Sequence, residues 1–452
     1  MKTFAEQKVS VQDMAACREK RAGRQVELLK KYKGALISLT LNIPGEIKQS
    51  ALIYKAFKLA ERKISDRLKY LNMPVLFSQE INNFTGNELF ICVQDEPVKI
   101  KKALCVLEEA DDFGRLLDID VLRNDGSKVS RKEINLPERQ CIFCPLPVSF
   151  CAPQRKHSLD ALVNKTQDIM HNAVCDDVIN TVSLSAQKAL LLESITSPKP
   201  GLVDRNNSGA HKDMDLDTFC LSANALLPYF RSCAKEGMQK QDISSLMPRL
   251  RSLGLLAEQS MYKATSGVNT HKGAIYGLGI LCAAAGHALF NEESISCDNL
   301  FSLAKDIAKD EVQNIKKLHG EAALTGGVEQ YKHLGLSGAR GEAAEGFPTV
   351  KNIALPAFYS CLEKSWSFNK AGVYTLIVLF ANVFDSNVIR RKGLKRQQEL
   401  KAQAKKLLEG DFTKEAVLAF DKQLIEENIS PGGCADLLSF TYFVYMLENE
   451  IH

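Results

Sequence analysis

Asp176–Thr196, with the sequence DDVINTVSLSAQKALLLESIT, decides how the chain divides. Val178, Val182, Ala186, Ala189, Leu190 and Glu193 recur there at the intervals of one helical face. The same periodicity returns downstream at Leu300–Leu318, Val373–Phe384, Gln397–Leu408 and Leu437–Leu447, while strand-like alternation does not. Residues 173–452 therefore read as an all-α helical domain, with Gly and Pro gathered into a few polar loops. Upstream the texture changes. Gly34–Pro44 (GALISLTLNIP) alternates and ends in Pro-Gly, and Val75–Gln79 and Glu88–Val93 flank Asn82, Asn83 and Gly86 as hairpin arms would. Arg115–Leu122 (RLLDIDVL) is a short apolar run broken by two acids, and Ser50–Tyr70 and Pro97–Ala110 carry helical spacing. Residues 1–172 are thus expected to form an α/β or α+β domain, and the chain to be multidomain.

The composition narrows the classes. With 452 residues, 45% hydrophobic and 25% charged, the chain has ample material for cores and is neither fibrous nor disordered. The longest apolar runs, near Ala274–Ala285 and Val373–Phe384, are shorter than the ~20 residues of a membrane span. The segment leading to Lys30 is rich in Lys, Arg and Glu and has no apolar signal region. Thirteen Cys scattered from Cys17 to Cys434 do not resemble a secreted disulfide framework, so a cytoplasmic location is expected. Lys and Arg total 58 against 54 acids, a mild balance. The one basic stretch, Arg390–Lys406, lacks stacking aromatics and reads as a solvated helix face, so neither nucleic acid nor membrane is an expected partner.

The polar loops of the helical part carry the chemistry. Ser197–Asp215 (SPKPGLVDRNNSGAHKDMD) packs Asp204, Asn206, Asn207, His211, Asp213 and Asp215 together. Such a loop either supplies oxygen ligands to a hard cation such as Mg²⁺ or caps a helix. In Gly267–Gly279 (GVNTHKGAIYGLG), Asn269 and Thr270 can cap a helix whose first turn presents His271 and Lys272. A helix start with Lys suits phosphate. Thr325–Phe347 (TGGVEQYKHLGLSGARGEAAEGF) is Gly-rich around His333 and Arg340, with Glu342 and Glu345 three apart on one potential helical face. Open backbone N–H groups and a guanidinium both bind phosphate oxygens. Neither the P-loop pattern nor a GxGxxG after a strand occurs, so the loops point instead to a composite polyphosphate and metal site. In Ser430–Leu438 (SPGGCADLL), Cys434 reads as a small core residue and Asp436 as structural.

In the first domain, Asp118 and Asp120 stand two apart on an expected strand, which puts both carboxylates on one face. After Gly114 and Arg115 they can bind Mg²⁺ and a triphosphate for displacement at phosphorus, or simply face solvent from an edge strand. Cys141 and Cys144 form a CxxC followed by Cys151 and, further on, His157. Structural zinc needs four ligands, and this set is expected to hold no metal.

These motifs together carry a resemblance. From about Cys175 onward, SPKPGLVD, GAHKDMD, GVNTHKG, TGGVEQYKHLGLSGARGEAAEGF and SPGGCADLL resemble triphosphoribosyl-dephospho-CoA synthase. From about Leu28 to Met170, GRLLDIDV, RQCIFC and RKHSLDAL resemble holo-citrate lyase synthase, and the order looks like a bifunctional fusion of the two. The resemblance implies a nucleotidyltransferase-like first domain and a relay between domains. The second would join the 2′-hydroxyl of 3′-dephospho-CoA to the ribosyl carbon of ATP, expelling adenine. The first would let a Ser of the citrate lyase acyl carrier protein attack the phosphorus, expelling pyrophosphate.

The expected roles follow from that relay. Asp204 or Asp213 would bind Mg²⁺ or accept the hydroxyl proton, with Asp215 a further metal ligand. His211 or His271 would act as acid or base. Lys272 and Arg340 would hold phosphates, and Glu342 or Glu345 metal or ribose. Asp118 and Asp120 would hold Mg²⁺ while Arg115 neutralises the triphosphate. Two other classes fit the same loops. A helical Mg²⁺-dependent ADP-ribosyl hydrolase-type enzyme would need no dephospho-CoA acceptor, and a non-catalytic carrier-protein chaperone would turn over no nucleotide.

Overall fold

The computed structural model describes residues 7–239, 242–291, 293–311, 338–410 and 412–450. The chain separates into two compact units, residues 1–177 and 178–452.

The first unit is built on a four-stranded antiparallel sheet in the order β2-β3-β1-β4. Its strands are β1 (Ala35–Leu41), β2 (Val75–Asn83), β3 (Gly86–Val93) and β4 (Leu117–Leu122), and its helices α1 (Val11–Tyr32), α2 (Ala51–Tyr70), α3 (Pro97–Glu109) and the short α4 (Val148–Cys151). Because every pairing is antiparallel, the unit is α+β rather than α/β. Alternation along the strands serves two faces. Ala35, Ile37 and Leu39 of β1 and Leu117, Ile119 and Val121 of β4 bury against Phe57, Ile64, Ile100 and Leu104 of α2 and α3. Leu36, Phe90, Cys92 and Leu122 point the other way, to Leu28 and Leu29 of α1. The expected hairpin is present, and its arms meet at Asn83↔Gly86. The N-terminal basic segment, in which no element was expected, is α1, started by Ser10 and Asp13 in a reciprocal cap.

α5 (Leu159–Ile195) runs through the boundary, and the elements of the second unit described beyond it are all helical. They are α6 (Leu216–Gly237), α7 (Met247–Ala264), α8 (Lys272–Phe290), α9 (Cys297–Ala308), α10 (Gly338–Ala344), α11 (Leu355–Glu363), α12 (Phe368–Asn382), α13 (Ser386–Glu409, broken at Gly393), α14 (Lys414–Glu426) and α15 (Gly432–Glu450). α8 is apolar on nearly every side and is the central helix, packed against α6, α7, α9 and α15. Its length and hydropathy alone would allow it to cross a membrane, yet most of it is buried in the protein. The basic stretch Arg390–Lys406 lies on α13 with its Lys and Arg mostly exposed, and Arg396 pairs with Glu427.

Candidate active sites

In the second unit, the chain between α5 and α6 folds back on itself. Lys199 is 1% exposed and forms an ion pair with Glu193, the carboxylate that interrupts the apolar stripe of α5. Asp204 is buried, and both its oxygens are spent locally. They accept the backbone N–H groups of Lys199 at 2.8 Å, Asn206 at 2.6 Å and Asn207 at 3.2 Å. Asp421 of α14 closes the loop from outside, accepting Gly201 N–H and the Asn207 amide at 2.9 Å each. His211 Nε2 lies 2.7 Å from Ser430 Oγ, and burial together with the Arg391 charge keeps its imidazole below the ordinary pKa. Asp213 faces His211 at 3.8 Å, and Asp215 caps α6 through Thr218.

α8 begins at Lys272, and the cap position is His271 rather than Asn269 or Thr270. Thr270 donates instead to Ser222, whose hydroxyl lies 2.7 Å from His271 Nδ1. His271 is 3% exposed, and its Nε2 is buried without a hydrogen-bond partner in the structure. Burial, reinforced by the Lys199 charge, pushes its pKa down to about 3, so the ring is neutral across the physiological range. Against this helix start lies Asp436 of α15, partly buried. A Cβ on Gly273 would stand 2.0 Å from its Oδ2, so only glycine admits the carboxylate there. Asp436 accepts the Ala274 N–H, and burial with the Glu193 and Asp385 charges raises its carboxyl well above the usual range. Asp385 caps α13 through Asn387 and Val388 and also accepts Cys434 N–H at 3.0 Å. Cys434 is a buried thiol, as expected of a core residue, and its burial raises it.

Not every expected residue joins this cluster. Lys272 pairs with Glu258 of α7 at 2.8 Å. Arg340 lies on α10, where its charge acts on Tyr276 beside Glu311 and Arg251. Glu342 and Glu345 do not share a helical face, because α10 ends at Ala344. Glu342 accepts Thr349 N–H at 2.8 Å, and Glu345 is exposed. His333 and residues 325–337 of that loop lie outside the described residues. Glu193, Lys199, Asp385 and Asp436 were not singled out from the sequence as functional. One signal was present, a carboxylate at the core position 193 of an apolar stripe.

In the first unit, Asp118 and Asp120 do point to one face of β4, the α1 side, opposite Thr40 and Ser38 of β1. Asp118 Oδ1 accepts Arg139 at 3.1 Å and Oδ2 accepts Thr40 Oγ1 at 3.4 Å, while Asp120 pairs with Lys128. Asp118 lines a cavity of about 240 Å³ with Arg18 and Arg21 of α1, Lys48, Thr40 and Asn87. Burial and the neighbouring Arg18 charge lower Lys48 below an ordinary lysine. Arg115 turns to Asp112 at 3.7 Å and does not line this cavity. Arg18 and Arg21 were illegible in the sequence because α1 carries many basic residues that only face water.

The CxxC does not stand alone. Cys141, Cys144, Cys151 and His157, from which no metal site was expected, bring their ligand atoms within 4.8 Å of one another. A backbone hydrogen bond from Leu146 draws the Cys144 thiol down to about 7, and burial pushes Cys151 up to about 11.

Residues 179–452 match the family model of ATP:dephospho-CoA triphosphoribosyl transferase (CitG), and residues 9–173 that of apo-citrate lyase phosphoribosyl-dephospho-CoA transferase (CitX). Protein CitXG of Haemophilus influenzae is 32% identical over 455 residues, covering 96% of each chain. The chain belongs to the CitXG family, a fusion of CitX and CitG. Protein CitXG of Leuconostoc mesenteroides subsp. cremoris is 31% identical, again over 96% of each chain. A probable 2-(5″-triphosphoribosyl)-3′-dephosphocoenzyme-A synthase of Vibrio cholerae is 41% identical over 273 residues, 58% of this chain and 86% of that one. As a CitXG protein the chain is a bifunctional transferase that makes the citrate lyase prosthetic group from ATP and dephospho-CoA and attaches it to citrate lyase.

Proposed function

We propose that the two activities divide between the units: 178–452 makes the triphosphoribosyl intermediate, and the first unit, a nucleotidyltransferase-like domain, transfers it to the citrate lyase acyl carrier protein in the cytoplasm. The observation that carries this reading is the convergence at the start of α8 of three buried polar groups, Glu193, Lys199 and His271, with the partly buried Asp436, whose carboxyl its surroundings raise.

In the first step the 2′-hydroxyl oxygen of 3′-dephospho-CoA bonds to the ribosyl carbon as the bond to adenine breaks. The hydroxyl proton leaves to His211, which is neutral and oriented by Ser430. His271, neutral and with Nε2 free to bond, holds the ribose. Arg391, whose charge acts on His211, supplies charge to the triphosphate. Asp204, its oxygens committed to its own loop, shapes the site rather than meeting substrate. Asp215 serves as a helix cap and Asp213 as a partner of His211.

Magnesium fits both donor sets. Glu193, buried, and Asp436, partly buried, are carboxylates whose mutual repulsion a hard cation would relieve, and Asp118 and Asp120 share a face beside a cationic cavity. When bound, the ion neutralises charge on the triphosphate. In the transfer step Arg18, Arg21 and Lys48 hold the triphosphate, the carrier Ser oxygen bonds to phosphorus, and pyrophosphate leaves.

Two variants of the full chain test the division. Asp436→Asn should abolish adenine release and leave transfer of pre-made intermediate intact. Its melting temperature should hold or rise, because the fold already disfavours the charged form. Asp118→Asn should do the converse, with intermediate accumulating beside unmodified carrier protein. If either folded variant loses both half-reactions equally, the division is wrong.

A further inference from the structure

Residues 140–158 hold almost no apolar core of their own. Within these residues the chain forms only α4 and an isolated bridge between Gln140 and Pro147, and Phe143, Val148 and Phe150 are exposed. The buried residues of this stretch are Cys141 and Cys151. A segment that buries little else than thiols needs another source of order.

The four candidate ligand atoms have the right separations for one. Cys144 Sγ lies 3.4 Å from Cys151 Sγ and 3.3 Å from His157 Nε2, and all four atoms lie within 4.8 Å of one another. Metal–sulfur bonds of about 2.3 Å and metal–nitrogen bonds of about 2.0 Å, set tetrahedrally, put ligand atoms about 3.5–3.8 Å apart. Phe143 N–H donates to Cys141 Sγ at 3.5 Å, a loop amide turned onto a sulfur as thiolates require, and the Phe143 ring lies 4.6 Å from the His157 ring and holds it in place.

We propose that Cys141, Cys144, Cys151 and His157 form a structural zinc site in the first unit. Three thiolates and an imidazole select zinc over the hard cations of the nucleotide chemistry, and a closed four-ligand set leaves no position for substrate. The site has a consequence at the sheet. Arg139, two residues before the first ligand, donates to Asp118 Oδ1 at 3.1 Å and to the Leu117 carbonyl. Zinc would thus fix the turn from which Arg139 reaches the candidate transfer carboxylate. Arg139 is then a positioning residue whose significance rests on the role proposed for Asp118, whereas metal binding itself does not.

The full chain, purified under reductant and dialysed against a weak chelator, should retain one zinc per chain by elemental mass spectrometry. Cobalt in its place should give thiolate charge-transfer bands and tetrahedral absorption. His157→Cys should keep the metal and shift the cobalt spectrum, whereas His157→Ala should lose most of it on dialysis. Stripping the metal should speed tryptic cleavage at the exposed Arg155 and Lys156 about tenfold, because local opening sets that rate. Three results would overturn the proposal: substoichiometric zinc after growth in zinc-supplemented medium, zinc unaffected by the Cys144→Ser, Cys151→Ser double variant, or a mass lower by two hydrogens with Cys144 and Cys151 joined.

Discussion

Gly273→Ala asks whether Asp436 works where it lies. The added Cβ would stand 2.0 Å from Asp436 Oδ2 and 2.9 Å from its Cγ, where relaxed contact needs about 3.5 Å. The carboxylate must therefore retreat by about 1.5 Å, away from the Ala274 N–H that now holds it. A displacement of about 1 Å in an active site can cost about 100-fold in rate, so adenine release should fall by at least that factor. Stability should change far less. Overpacking costs about 1–3 kcal/mol, and alanine recovers about 1 kcal/mol of helix propensity, leaving a net loss of about 0–2 kcal/mol. The melting temperature should then drop by no more than about 8 °C. Adenine release is followed chromatographically with ATP and dephospho-CoA, and transfer by the mass of the carrier protein given pre-made intermediate. Transfer should be unchanged, which shows that the variant is folded. Adenine release within about threefold of the parent chain would refute the placement of Asp436 in the site.

Two further expectations follow from the charges. His271 is held at about 3 against an ordinary 6.5, so between those values the unfolded chain binds a proton that the folded one refuses. Stability is therefore fully present above 6.5 and declines as pH falls toward 3, by up to about 1.4 kcal/mol per pH unit. His271→Gln should flatten the fall of melting temperature over that range, and an equally steep fall in the variant would show that other groups cause it. Lys48→Met should raise the KM for the triphosphoribosyl intermediate in transfer about 10- to 100-fold, the worth of one charge-assisted phosphate contact, with adenine release unaltered. An unchanged KM would remove the cavity beside Asp118 from the triphosphate path.

What could be read from the residues was what local periodicity encodes. Alternation in GALISLTLNIP, the Asn-Asn…Gly break before β3 and the helical stripe after Asp176 are properties of a few neighbouring residues; the strands appeared within a few residues of their expected places, whereas the stripe proved to be the second half of α5, which already begins at Leu159. Period two likewise sufficed to put Asp118 and Asp120 on one face. The sequence motifs also pointed to the family, because SPKPGLVD and GRLLDIDV are contiguous strings. Only the tertiary structure could decide which polar residues meet. Glu193, Asp385 and Asp436 come from α5, the cap of α13 and α15, separate parts of the chain, and nothing local marks Asp436 as more than an acid near a helix start. Arg18 and Lys48 reach Asp118 only because α1 packs across the sheet face that β4 also presents. Expected partners failed for the same reason: Arg115 found Asp112 and Lys272 found Glu258, nearer neighbours that spacing along the chain does not disclose. The zinc ligands show the limit most plainly. Ligand spacing beyond the CxxC is irregular, so Cys151 and His157 become a set with Cys141 and Cys144 only once the turn between them brings four candidate ligand atoms within 4.8 Å of one another.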